Sequence, residues 1–155
     1  MRSHRCCFTG HREIPLLERH AVIKATAQAI ESLIARGVTT FIAGGALGFD
    51  TLAAELVLEA RKRHPDEVHL ILALPCEEQT RGWNSFDIAK YNTLREQADH
   101  VRVLSPTYYR GCMHARNRFM VDHSAVCICY LRRESGGTAY TTNYAAKNGL
   151  EIIRV

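Results

Sequence analysis

TTFIAGGALGFD, residues 39–50, decides the fold: a β-branched and aromatic run (Thr39, Thr40, Phe41, Ile42) breaks at Gly44 and Gly45, passes Gly48, and meets Asp50 in the helix-capping place. The pattern TLAAELVLEARKRH that follows has Leu52, Leu56 and Ala60 on one face and is stopped by Pro65. Strand, glycine turn and helix make half of a βαβ unit. Such glycines let a backbone approach a bulky ligand, and a helix amino end offers unpaired N–H groups to phosphate. A βα turn also needs glycine for steric reasons alone, and the stretch matches neither G-x-G-x-x-G nor the P-loop.

On either side of this stretch the chain alternates the same two signals. A strand is expected over His4–Thr9, then a helix from Leu17 to Arg36 with a stripe of Ile23, Ala27, Ile30 and Ile34, closed by Gly37. Downstream come a strand at Val68–Leu74, a polar loop at Cys76–Asn84, a helix at Ser85–Gln97 and a strand at Val101–Leu104. A helix at Met113–Asp122, a strand at Ala125–Leu131, a helix at Thr138–Asn148 ended by Gly149, and a strand at Glu151–Val155 complete the series. Strands spaced by helices predict an α/β, Rossmann-like, doubly wound and mostly parallel sheet of about six strands, with helices on both faces.

With 155 residues, residues 1–155 are expected to form one domain with a true core. At 46% hydrophobic and 23% charged residues the composition is that of an ordinary globular protein. A net charge of +4, scattered along the chain, does not point to nucleic acid. No apolar run is long enough for a membrane span and the amino terminus has no signal-peptide core, so a cytoplasmic location is expected. The six cysteines, four of them in strand-like runs, read as buried small hydrophobes. Neither they nor the eight histidines are spaced as metal ligands, and no metal or cofactor is implied.

In an open parallel sheet the ligand sits beyond the carboxyl ends of the strands. Every polar or glycine cluster falls at that edge, whereas the opposite edge carries only short connections such as 36–38 and 148–150. The candidate site is drawn from these clusters. Thr9, Gly10, His11 and Arg12 follow the first strand: they could hold phosphate, or Arg12 could be a surface salt-bridge partner. Gly44, Gly45, Gly48 and Asp50 follow the second; Asp50 could cap its helix or take a ribose hydroxyl. Gln79 and Trp83 lie after the third, where the only tryptophan could stack on a base or pack over the sheet edge. Arg116 and Asn117 open a helix, with Arg116 a phosphate candidate, and Gly136, Gly137 and Thr138 form a second cradle.

In order and spacing, CFTGHR, GGALGFDTLAAE, PCEEQTRGW, ARNRFMVDHSAVCICY and GGTAYTTNYA resemble the YpsA-like family of the SLOG superfamily. That superfamily also holds the DNA-processing protein A domain and the LOG-type phosphoribohydrolases. The resemblance spans nearly the whole chain and implies a Rossmann-like domain that binds or senses a nucleotide or nucleotide-derived ligand. Two other functions follow from the relatives. One is hydrolysis of the N-glycosidic bond of a nucleoside monophosphate. Met113, Arg116, Asn117 and Met120 resemble the LOG pattern M-x-x-R-K-x-x-M with Asn for Lys. In the matching glycine segment, Tyr140 and Thr141 stand where an acid should, and Glu55, Glu77, Glu78 and Glu134 are the available substitutes. The other is single-stranded DNA binding, which wants a basic, aromatic-lined groove. The reading places a nucleotide-type small molecule first, leaves enzymatic activity open, and admits a homo-oligomer.

Overall fold

The computed structural model describes residues 2–155. Among them, six strands, β1 (Arg5–Gly10), β2 (Thr40–Ala43), β3 (His69–Leu74), β4 (His100–Val103), β5 (Val126–Tyr130) and β6 (Glu151–Arg154), alternate with five α-helices: α1 (Leu16–Ala35), α2 (Phe49–Arg63), α3 (Ser85–Gln97), α4 (Cys112–Asp122) and α5 (Gly137–Lys147). All strand pairs are parallel, in the order β4-β3-β2-β1-β5-β6. The fold is therefore Rossmann-like and doubly wound, as the alternation of signals requires.

Strand residues alternate between two apolar layers. Cys6, Phe8, Phe41, Leu70, Leu72, Leu74, Val126, Ile128 and Tyr130 share one core with α1, α2 and α3. Cys7, Ile42, Ala73, Cys127 and Cys129 share the other with α4 and α5. All six cysteines are buried, and the four in β1 and β5, Cys6, Cys7, Cys127 and Cys129, act as the compact apolar residues that a two-sided sheet needs. The stripe of α1 is offset by one position from the expected one: Val22, Thr26, Ile30 and Leu33 are buried, with Ile23 and Ile34 at the flank. Aromatic rings tie the sheet to α2, with Phe8 stacked on Phe41 at 6.1 Å and Phe49 on Tyr130 at 5.8 Å. Such pairs contribute about 0.5–1.5 kcal/mol each beyond area burial.

The two edges of the sheet are built differently. At the amino edge α1 and α5 end tightly: Gly37 (φ 95°) and Gly149 (φ 82°) let the following amides of Val38 and Leu150 bond back to Leu33 and Ala145, both at 3.0 Å. At the carboxyl edge, β1 leads into α1 on one face and β5 into α5 on the other. Their neighbouring strand ends therefore frame a crevice at the switch in strand order.

Candidate functional site

That crevice opens as a cavity of about 780 Å³. Its walls are Thr9–Pro15 and Glu18 from the β1–α1 segment, Ala46 and Asp50 from the β2–α2 turn, the first turns of α4, and the β5–α5 segment through Thr138. The volume lies within the range of sites that enclose small molecules, ~300–1,000 Å³.

The helix starts around the cavity share one chemistry. The helices that begin around it start at Pro15, Gly48, Gly111 and Gly136, and none of these caps offers a side chain to the helix amides. Helix α3, which begins away from the cavity, is capped by Asn84 accepting from the Asp87 amide at 2.8 Å. Uncapped amides with the partial positive charge of a helix amino end suit an anion. Thr9 and Thr138 are each more than nine-tenths buried, yet neither hydroxyl bonds to protein, and neither is among the sealed polar atoms, which are Thr26 Oγ1, Tyr91 Oη and Ser124 Oγ. Both hydroxyls thus open on the cavity.

The cationic wall has one neutralised and two free arginines. Arg132 is held by Glu18 at 2.9 Å, donates to the Val155 carbonyl at 3.0 Å and stacks on Tyr130 at 4.4 Å. Arg12 lines the cavity, is exposed, and is paired with no carboxylate. Arg133 approaches Nδ1 of His11 at 3.4 Å. On its other side the buried His11 ring accepts the Arg132 amide at Nε2, 2.8 Å away. A neutral imidazole has a single acceptor nitrogen, so the shorter bond assigns the hydrogen to Nδ1. Arg133 and Nδ1–H then face one another as two donors, an arrangement that an anion between them would resolve. Burial, Arg133 and Arg132, in that order, lower the His11 pKa and favour the neutral ring.

The floor carries two buried charges. Arg116 donates through Nη1 to the Gly44 carbonyl and to Gln79 Oε1 (3.3 Å), and through Nε to Asn117 Oδ1 at 2.8 Å. Nη2 touches only the Met113 sulfur, at 3.9 Å. Burial lowers the Arg116 pKa, with Asp50 the main opposing influence. Asp50 is not the helix cap expected from its place in the sequence. It lies within the first turn of α2, with Gly48 at the cap, and its Oδ2 accepts the Ala46 amide at 3.4 Å. Burial raises its pKa, and Arg116 works in the opposite direction.

Of the sequence candidates, Thr9, Gly10, His11, Arg12, Asp50, Arg116, Asn117, Gly137 and Thr138 come together around the cavity. Gly44 and Gln79 stand behind Arg116 as acceptors that fix it. Gly45 and Gly48 do not line the wall, since the space beside Gly45 holds Leu74, Gln79 and Tyr91 and that beside Gly48 holds the Arg12 backbone. Gly136 is the α5 cap. Trp83 packs edge-on against Tyr91 with ring centres 5.5 Å apart, away from the cavity lining. Sequence reasoning missed Arg132, Arg133, Glu18 and His114. The signal for the first two was their position between β5 and the Gly136–Gly137 pair, exposed in the loop that faces the switch point.

These features define a doubly wound α/β protein with a donor-rich crevice at its switch point. The chain belongs to the YpsA family, described as the YspA SLOG family, which matches residues 6–151. It is similar to a UPF0398 protein of Halalkalibacterium halodurans, 32% identical over 141 residues, covering 89% of this chain and 71% of that one. A UPF0398 protein of Bacillus thuringiensis is 29% identical over 129 residues, covering 81% and 70%. Among solved structures, DNA processing protein A of Streptococcus pneumoniae superposes with a TM-score of 0.70 at 15% identity, over 98% of this chain and 50% of that one. DNA processing protein A of Helicobacter pylori, described by its single-stranded DNA binding mode, gives 0.67 at 19% identity over 97% and 64%. The chain thus spans half to about two thirds of those two solved proteins, and the likeness is one of fold. No helix of the described residues is long and apolar enough to cross a membrane.

Proposed function

We propose that this chain binds or senses a nucleotide or nucleotide-derived small molecule in the crevice beyond β1 and β5, with phosphate against the α5 amino end. The observation that carries the reading is a surplus of unpaired donors facing one cavity: the uncapped α5 amides, the Thr9 and Thr138 hydroxyls, Arg12, and the opposed Arg133 and His11 donors. Protein structures satisfy buried polar groups, so the Thr9, Thr138 and His11 donors call for an external acceptor, and the exposed Arg12 and Arg133 beside them add positive charge that suits an anion. A phosphate supplies acceptors with charge to match. Gly137 gives it room, because nothing lies within 4 Å of where a Cβ would stand.

A screen of adenosine monophosphate, adenosine diphosphate, ADP-ribose and cyclic nucleotides by thermal shift tests the reading. Ligand at ~100 times Kd adds about 2.7 kcal/mol of stability. For a chain of this size that raises the melting temperature by roughly 5–10 °C. Flat melting curves for every nucleotide would exclude the reading.

The hydrolase alternative rests on acids at the same cavity. Glu55, Glu77 and Glu78 are paired with Lys90, Arg95 and Arg81, and neither they nor Glu134 lines it. Glu13, Glu18 and Asp50 do, and Glu18 is engaged by Arg132, leaving Glu13 and Asp50 for general base work. Chromatographic detection of free adenine after incubation with adenosine monophosphate, lost in Asp50→Asn or Glu13→Gln, would favour the enzyme.

A further inference from the structure

Asp50 and Arg116 meet at the α-carbon of Gly44. A Cβ placed there would lie 2.6 Å from Arg116 Nη1 and 2.8 Å from Asp50 Oδ2, so only a glycine hydrogen fits between the two charges. Both side chains are more than nine-tenths buried, and both contribute to the cavity lining. Each also has an atom left over. The Asp50 carboxylate takes the Ala46 amide at Oδ2 and is also steadied by the Gly44 amide, whereas no hydrogen bond of the described residues is made at Oδ1, which is not one of the sealed atoms, and Arg116 Nη2 has only a thioether for company. Desolvated charges with unused hydrogen-bonding capacity are costly unless something completes them.

The pair restricts what that something is. A phosphate is repelled by the Asp50 carboxylate, and a cation by the Arg116 guanidinium. What remains is a neutral group that donates to a carboxylate and accepts from a guanidinium at adjacent positions, which is the chemistry of neighbouring hydroxyls. In a nucleotide the group next to the phosphate is the sugar. Here the turn carrying Asp50 adjoins the turn carrying Arg12: the Phe49 amide bonds to the His11 carbonyl at 3.1 Å.

We propose that Asp50 and Arg116, split by Gly44, form a subsite for the cis-diol of a ribose, so that the crevice selects nucleotides by their sugar hydroxyls. The assignment rests on the nucleotide reading above and specifies the ligand class within it. Asp50 accepts from one hydroxyl through Oδ1, and Arg116 donates to the neighbouring oxygen through Nη2. Gln79 and Asn117 are positioning residues, holding the guanidinium from behind. Because the floor rejects anions, it also orients the ligand, with phosphate toward α5 and sugar toward α2 and α4.

The test is a calorimetric comparison of adenosine monophosphate with its 2′-deoxy, 3′-deoxy and 2′,3′-dideoxy forms, on the wild-type chain and on Asp50→Asn with its fold checked by circular dichroism. Loss of both hydroxyls should weaken wild-type binding by roughly 10- to 100-fold, the range set by hydrogen bonds to charged groups. In Asp50→Asn most of that preference should vanish, while affinity for the dideoxy compound stays within about a factor of three. Equal wild-type affinity for all four compounds overturns the diol subsite and leaves nucleotide binding standing. A preference that persists undiminished in Asp50→Asn overturns the assignment to Asp50. Binding of none of the four overturns the nucleotide reading and this assignment with it. Should Asp50→Asn fail to fold, Asn117→Ala takes its place, with the expectation that the preference for the diol falls as Arg116 loses its Nε acceptor.

Discussion

Two glycine turns stand at the carboxyl edge of the sheet, and they do opposite work. In the β2–α2 turn a Cβ on Gly48 would overlap the carbonyl of Arg12, and one on Gly44 would wedge between Arg116 and Asp50. A Cβ on Gly45 would meet Leu74 at 2.8 Å. In the β5–α5 turn nothing lies within 4 Å of such an atom on Gly136 or Gly137. The first turn therefore uses glycine to pack the protein against itself, and the second to leave room outside it. Gly10 belongs with the first, since the Phe49 ring occupies its side-chain space. Equal glycine signatures in a sequence can thus encode a hinge of packing or a mouth of a site, and only the partner across the gap distinguishes them.

The contrast is open to substitution, beginning where the effect is largest. Gly48→Ala combines a positive φ of 80° with a backbone obstacle that has no flexible end to retreat. It should cost at least about 3 kcal/mol in urea unfolding, in the range of buried strain. Gly44→Ala meets only side-chain ends, at 2.6 and 2.8 Å, which can shift. We expect a loss of about 1–3 kcal/mol together with weakened nucleotide binding, because Arg116 is moved from its place. Gly136→Ala carries strain alone, from a φ of 95° with ψ −173°, a conformation essentially reserved for glycine, and should cost about 1–3 kcal/mol. Gly137→Ala, with neither strain nor neighbour, should leave stability within about 0.5 kcal/mol of wild type. Any nucleotide affinity it loses then reports the site directly. If Gly137→Ala unfolds the chain as readily as Gly48→Ala, the distinction between the two turns is wrong.

A proton should discriminate the same regions. His11 holds the β5–α5 segment by accepting the Arg132 amide, and its folded pKa lies below the ordinary 6.5. The unfolded chain therefore binds the proton more readily. The stability contributed by the neutral ring is fully present above about pH 6.5 and is lost as pH falls through the lower folded value. His11→Gln retains an acceptor that does not titrate. Between pH 7 and pH 5 its melting temperature should fall less than that of wild type, and parallel curves would remove His11 as the anchor.

Much of this architecture was legible in the sequence, and the reason is local. Period-two and period-3.6 patterns, Gly37 and Gly149 at helix ends, and Pro65 after α2 act within a few residues, so strands and helices fall within one or two positions of their expected bounds. The clustering of Thr9, Arg12, Arg116 and Thr138 at one edge follows from the alternation itself. What was not legible depends on residues far apart in the chain. Phe49 packs over Gly10, with Gly48 as the helix cap and Asp50 inside the first turn. Even the nearer contact of Trp83 with Tyr91 on α3 is one that no spacing rule fixes. The Arg132 amide that fixes the His11 tautomer is 121 positions away. Nothing in the sequence sets Arg133 apart from other surface charges, and it is His11, 122 positions away, that stands opposite it.

The central claim is that the open glycine turn of α5, and not the packed turn of α2, receives phosphate. Amide NMR of the labelled chain during titration with adenosine diphosphate tests it most directly. The account predicts that the largest shifts fall on Gly137, Thr138, Ala139 and Arg133, saturating together, while Gly45 and Gly48 stay near their free positions. Saturable shifts centred on Gly44–Gly48, with α5 unmoved, would contradict it.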